Sequence, residues 1–364
     1  MIIHQQRSGL CRTRQKIAAG APVTLGFLGG SITDGRVPYN WPEPVIAWFI
    51  ERFPQNRIQV ENAAIGATGS DLAVFLAEPH ILAHDCDLVF VEFAVNDGGE
   101  PPTKRARTRE GLLRKLLAGA GRDVLLTYTF GQDMYTDMLA GMVPATIGDF
   151  EVLAAHYGIS SVWMGLHALR EVQAGRMRWE EWLPDGLHPQ FRGSWSYAQA
   201  VTGLLECLLC GENIHSPLPV GSARPSPLDR ANWESAMTLP LSAVTLEGPW
   251  QLKRWPAMKW IDQVLESSAP GARLAFAFTG SGLTLGFDFG RNSSEFRYRI
   301  DGGEWVVVNR ERPDWCGAEG WYRLTMIAGD LPLTPHQFEL EVLHGNGPNC
   351  TGTTCRVALI GILP

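Results

Sequence analysis

Between residues 23 and 210 the chain alternates short, almost unbroken apolar runs with longer amphipathic ones. Nothing else in the sequence limits the available folds so strongly. The apolar runs are VTLGFLGG (23–30), IQVENAA (58–64), DLVFVEFA (87–94), DVLLTYT (123–129) and ISSVWMG (159–165). Helix-length segments at 43–53, 71–83, 107–120 and 146–157 separate them, and a last one spans 194–209. A strand that is apolar at nearly every position has both faces covered, and helices between successive strands supply the cover. The pattern predicts an α/β domain built on a doubly wound parallel sheet.

After residue 211 the texture changes. The segment SPLPVGSARPSPLDR (216–230) carries four prolines among small polar residues and reads as a linker or irregular crossover. The periodicity beyond it is close to two, in RLAFAFTG, LTLGFDFG, EFRYRIDGG, EWVVVN, QFELEVLHG and CRVALIGIL, with glycine-rich turns such as Asp301-Gly302-Gly303 between runs. Short alternating strands with turn signals predict a β-sandwich of jelly-roll kind. The expected domains are therefore 1–215 and 216–364. Seven of the 13 tryptophans fall after residue 222: Trp233, Trp250, Trp255, Trp260, Trp305, Trp315 and Trp321. Their flat faces suit sugar rings, but Trp is largely buried on average, and core packing is the expectation for most of them.

Composition excludes several functions. A formal net charge of −7 opposes nucleic acid as a partner, because phosphate binding needs a basic face. No run of 18 apolar residues exists to span a bilayer, and MIIHQQRSGLCRTRQKIAAG contains no apolar signal core, so a cytoplasmic location is expected. Seven scattered cysteines cannot all pair within the chain and point to reduced thiols. Cys207 and Cys210 lie in GLLECLLC, where buried packing explains them better than a metal. His80 and His84 read as a solvated helix end, and the basic run 104–109 as a solvated helix start. Neither a G-x-S-x-G elbow nor a phosphate-binding glycine loop is present.

Ligands of such sheets bind at the carboxyl ends of the strands. Gly29-Gly30-Ser31-Ile32-Thr33 follows the first strand, Gly66-Ala67-Thr68-Gly69-Ser70 the second, and Asn96-Asp97 the third. Asp185-Gly186-Leu187-His188-Pro189 lies just before the last helix. Each alone is weak, but the four share one rim.

With these blocks the chain resembles the SGNH hydrolases, the esterase family also called GDSL-like. GGSIT corresponds to the serine block, NAAIGATGS to the glycine block, VEFAVND to the asparagine block and DGLHP to the D-x-x-H block, over roughly the first 210 residues. The resemblance implies a flavodoxin-like sheet. It also implies Ser31 as nucleophile, His188 as its base and Asp185 as the orienting carboxylate. The oxyanion hole would comprise the Ser31 N–H, an N–H from Gly66 or Ala67, and the Asn96 amide, with no metal or organic cofactor. Two departures stand out. Gly30 replaces the aspartate common before the serine, and Ala67 stands where many relatives carry glycine, acceptable unless the turn demands positive φ. A hydrolase of this family with an appended sandwich is similar to carbohydrate esterases that remove acetyl groups. The implied substrate is an acylated carbohydrate or other small ester. The alternatives are an esterase, thioesterase or lysophospholipase for other acyl groups, or a glycan-binding module on a degenerate hydrolase scaffold.

Overall fold

The computed structural model describes all residues except 120, 212–223, 309, 311, 313–315, 317–319 and 348–349. The expected boundary at 215/216, the first half of the proline-rich segment and Trp315 lie outside the described residues. The chain divides into two compact units, Met1–Glu234 and Ser235–Pro364.

In the first unit the elements run β1 (His4–Gln5), α1 (Cys11–Ala18), β2 (Val23–Gly29), α2 (Pro42–Arg52), β3 (Ile58–Asn62), α3 (Ser70–Ala77), β4 (Leu88–Glu92), α4 (Pro102–Leu116), β5 (Asp123–Tyr128), α5 (Tyr135–Leu139), α6 (Ala145–Tyr157), β6 (Ser160–Trp163), α7 (Met164–Gln173), α8 (Trp179–Trp182) and α9 (Phe191–Leu205). The sheet order is β1-β6-β5-β4-β2-β3. Strands β2 to β6 are parallel and β1 is an antiparallel edge. Counted from β2, this is the flavodoxin-like order, which reverses direction between β2 and β4. Every residue of β2, β4, β5 and β6 is buried, as strands covered on both faces must be. The five expected strands are recovered within two residues at each end.

Helix α4 begins at Pro102, ahead of the expected 107, because proline at the first helical position sacrifices an N–H that has no partner there. The basic run on it is not a solvated helix start. Arg105 is 6% and Arg109 0% exposed. Arg109 bonds Asp97 through Nε at 2.7 Å and stacks on Phe150 at 3.9 Å, while Arg105 pairs with Asp149. Residues 224–234 also pack on α4. The N–H groups of Leu228 and Asp229 donate to Glu110 at 2.6 and 2.8 Å, Arg114 pairs with Glu234 at 2.5 Å, and Trp233 lies against Gly111. Trp233 therefore belongs to the first unit, not to the sandwich. Among the described residues, no helix is long and apolar enough to cross a membrane.

The second unit contains β7 (Met237–Leu239), β8 (Thr245–Glu247), β9 (Gln251–Arg254), β10 (Gln263–Ser267), β11 (Arg273–Thr279), β12 (Gly282–Phe289), β13 (Glu295–Ile300), β14 (Val306–Val308), β15 (Trp321–Ala328), β16 (Pro335–Leu343) and β17 (Cys355–Leu363). They form two antiparallel sheets, β15-β12-β17-β10-β9 with β7 beside β17, and β14-β13-β16-β11-β8. In β11, Leu274, Phe276 and Phe278 point inward and alternate with exposed or half-buried neighbours. They join Phe287, Phe296, Phe338 and Val357 in a core drawn from both sheets, which is the sandwich that period-two patterning predicts.

Candidate active site

The rim where the sheet order reverses collects the four polar blocks. After β2 the chain turns at once: the N–H groups of Thr33 and Asp34 both bond the Gly30 carbonyl at 3.1 Å, so Ser31 sits on a single tight turn. Gly30 lies hard against the Asn96 side chain. A Cβ added to it would fall 2.0 Å from Asn96 Oδ1 and 2.7 Å from Asn96 Nδ2, so the missing side chain is what lets the Asn96 amide lie against the Ser31 turn.

Ser31 Oγ lies 2.8 Å from His188 Nε2, and His188 Nδ1 lies 2.8 Å from Asp185 Oδ2. The other Asp185 oxygen accepts the N–H groups of His188 at 2.7 Å and Leu187 at 2.9 Å. Partial burial pushes the Asp185 pKa up, but these bonds outweigh it and hold the carboxyl below its ordinary range. An ionised Asp185 can only accept, so Nδ1 carries the imidazole proton and Nε2 is left to accept the Ser31 hydroxyl proton. The loop carrying both residues is closed by Gly186 N–H to the Leu183 carbonyl and Gln190 N–H to the Trp182 carbonyl, at 3.0 and 2.9 Å. Trp182, fully buried against Phe130 and Tyr197, anchors it. The His188 and Asp185 side chains remain 45% and 54% exposed, so the pair works partly in water.

The glycine block approaches from β3. The Ile65 N–H bonds the Gly29 carbonyl at 3.0 Å, and Asn62 Nδ2 donates to the Thr33 carbonyl at 2.9 Å. A Cβ on Gly66 would lie 3.6 Å from that of Ser31. Ala67 adopts φ +59°, so the turn does demand the left-handed region, and alanine occupies it where glycine would do so without a steric penalty. Asp97 then joins two blocks: its carboxylate accepts Ser70 N–H and Oγ–H, each at 2.8 Å, together with Arg109 Nε–H. Thus Ser31, Gly66, Ala67, Asn96, Asp185 and His188 all reach one rim, and the first, fifth and sixth are connected by hydrogen bonds.

The sequence reading passed over Glu92. Its carboxyl is fully buried directly behind the Ser31 turn, opposite Gly29 in the sheet register. It accepts hydrogen bonds from Thr129 Oγ1 at 2.7 Å, Thr33 Oγ1 at 3.1 Å and the Gly30 N–H. Thr33 in turn accepts Trp41 Nε1–H at 3.0 Å. Burial raises the Glu92 pKa to about 7, against the opposing pull of those donors, and Asp97 adds to the rise. The available signal was a lone charged residue inside an otherwise apolar strand buried on both faces.

Residues 27–195 match the model of the GDSL-like lipase/acylhydrolase family, so the resemblance read from the four blocks is borne out over that stretch. No curated protein sequence matches the chain. Among solved structures, a two-domain esterase active on acetylated mannans, co-crystallised with mannopentaose, is 22% identical with a TM-score of 0.83, covering 99% of this chain and 96% of that one. A second structure of a two-domain esterase active on acetylated mannans gives 22% identity and a TM-score of 0.81, covering 99% and 97%. These likenesses show that the fold is shared.

Proposed function

We propose that this chain is a serine esterase that removes small acyl groups, acetyl above all, from the hydroxyls of carbohydrates. The observation that carries the reading is the unbroken relay from Ser31 Oγ through His188 to Asp185 at the rim where the sheet order reverses. The resemblance to GDSL-like acylhydrolases supports ester chemistry, and the two-domain esterase of the same fold supports a carbohydrate substrate.

In this reading His188 Nε2 takes the Ser31 proton as Oγ attacks the ester carbonyl carbon. The resulting oxyanion is held by the N–H of Ser31, an N–H of Gly66 or Ala67, and the Asn96 side-chain amide. Collapse breaks the bond to the sugar oxygen, which takes the proton from His188 and leaves as an alcohol. Water then attacks the acyl-Ser31 ester, giving its proton to His188. Collapse of the second tetrahedral intermediate breaks the bond to Ser31 Oγ, which takes the proton back from His188 as the acid departs. Asp185 keeps the imidazole in the required tautomer and stabilises it while it is protonated.

Acetate release from acetylated mannan, compared with acetyl, butyryl and longer p-nitrophenyl esters, tests the substrate assignment. A steep preference for acetyl and turnover of the polysaccharide are expected. Equal rates on long acyl chains with no acetate from any acetylated glycan would move the chain to a general acylhydrolase. Ser31→Ala is expected to abolish both turnover and labelling by a fluorophosphonate probe. A wild-type chain that resists the probe and releases no acetate would leave only a binding module.

A further inference from the structure

Three aromatic residues are well exposed among the described residues: Tyr39 at 48%, Phe191 at 66% and Trp195 at 43%. All three lie on the two segments that carry Ser31 and His188. Tyr39 is eight positions beyond Ser31, while Phe191 and Trp195 are three and seven beyond His188. The last two are four apart on α9 and so share one face of it. The Tyr39 ring meets Phe191 edge-on, with centroids 6.4 Å apart at 79°, and the Tyr39 carbonyl accepts a hydrogen bond from Ser194 Oγ. The serine segment and the histidine segment are thus tied together at Tyr39 and the start of α9.

A lone exposed aromatic needs no explanation, but three on the two segments that carry Ser31 and His188 do. Trp250, Trp255, Trp260, Trp305 and Trp321 of the second unit are all at least partly buried. We propose that Tyr39, Phe191 and Trp195 form a stacking subsite for the sugar ring of an O-acylated carbohydrate bound at Ser31; this rests on the esterase reading above. The rings offer flat apolar faces for the C–H face of a pyranose and leave its hydroxyls toward water, with the Tyr39 hydroxyl able to donate or accept at the edge. A long acyl chain would call instead for an enclosed aliphatic slot. A second copy of the chain is a poor occupant, because the three rings expose roughly 300 Å² and a stable interface needs about 800 Å² from each partner.

The test compares wild type, Tyr39→Ala and the double variant Phe191→Ala/Trp195→Ala, each in the full chain. Rates are normalised to the sites that a fluorophosphonate labels, so misfolded protein is not counted. The expected result is a fall of roughly 10- to 100-fold in the ratio of kcat/KM for acetylated mannopentaose to that for p-nitrophenyl acetate, carried mainly by KM. An unchanged ratio in an enzyme that deacetylates the oligosaccharide overturns the subsite and leaves the esterase reading standing. Wild-type turnover of p-nitrophenyl acetate with none of any acetylated saccharide overturns both. Loss of a preference for long acyl esters, or of a dimer in solution, assigns the rings to those occupants. If the double variant labels too weakly to assay, a Ser31→Ala chain titrated with mannopentaose should show a tryptophan fluorescence change that Trp195→Phe removes. Persistence of that change overturns the proposal.

Discussion

Replacing Glu92 by glutamine isolates the cost of a buried charge beneath the Ser31 turn. In the unfolded chain the carboxyl titrates near its ordinary 4.5, and in the folded protein near 7. Burial is the main cause, since the Thr129, Thr33 and Gly30 donors pull the other way. An acid whose folded pKa lies above its unfolded one binds more protons when folded. Stability is therefore unaffected by this group below about 4.5, declines as pH rises towards 7, and stays reduced above that. At about 1.4 kcal/mol per pH unit the whole decline comes to roughly 3 kcal/mol. Glutamine imitates the neutral acid: its carbonyl accepts from Thr33 Oγ1 as the carboxyl does, and its amide N–H₂ faces Thr129 Oγ1, whose hydroxyl turns from donor to acceptor. The other ionisable groups nearby, Asp97 and Tyr197, are present in both proteins, and Tyr197 stays neutral because burial drives its pKa far up.

Glu92→Gln should accordingly gain stability relative to wild type by most of that roughly 3 kcal/mol between pH 5 and pH 8. Guanidinium titrations at each pH, scored by loss of fluorophosphonate labelling at Ser31, follow the first unit alone. Parallel stability curves for the two proteins would refute the reasoning, because they would mean that Glu92 carries the same charge folded and unfolded across that range.

Four further substitutions separate the parts of the site. Asn96→Ala should lower kcat by about 100- to 1000-fold with KM little changed, as loss of one oxyanion donor does; steady-state kinetics on p-nitrophenyl acetate reads it. Gly30→Ala should lower kcat by a similar factor although it removes no donor, because the new methyl group displaces the Asn96 amide, and a crystal structure of the variant should show that displacement. Ala67→Gly should leave activity intact and stabilise the first unit by up to about 1 kcal/mol, by relieving a left-handed alanine; a lowered denaturation midpoint would contradict it. Arg109→Met should destabilise by about 3–5 kcal/mol, since it leaves the Asp97 carboxylate buried without its cation. Denaturant titration measures that loss.

The parallel strands were legible because burial on both faces writes itself as an unbroken apolar run. Helix α7 was not, since it starts at Met164 directly after the last residue of β6, with no turn residue between them. Strand β1 is two residues long and has no period to detect. The D-x-x-H block gave away Asp185 and His188, because their contact is local, whereas the link to Ser31 spans 157 positions and came only from motif order. Composition also misled. The basic run on α4 looked solvated, yet Arg109 is held by a carboxylate, two carbonyls and a ring, all contributed by other elements. Ala67 likewise conceals its φ: it lies in the left-handed region, which an alanine in the sequence does not advertise.

These contacts divide the rim into two mechanically different halves. On one side the serine, glycine and asparagine blocks are bonded to each other and to buried groups: Trp41 to Thr33 to Glu92, Asn62 to the Thr33 carbonyl, and Asp97 to Ser70 and Arg109. In the proposed reading these bonds brace the segments that carry the oxyanion donors, so that little reorganisation is needed when charge appears on the substrate oxygen. On the other side, His188 and Asp185 are about half exposed on a loop closed by two backbone hydrogen bonds. Water already solvates that carboxylate, so removing it leaves no buried charge uncompensated. Breaking the Asp97 contacts in the first half should therefore lower stability and kcat together, whereas damage to the second should lower kcat with a much smaller effect on the unfolding transition.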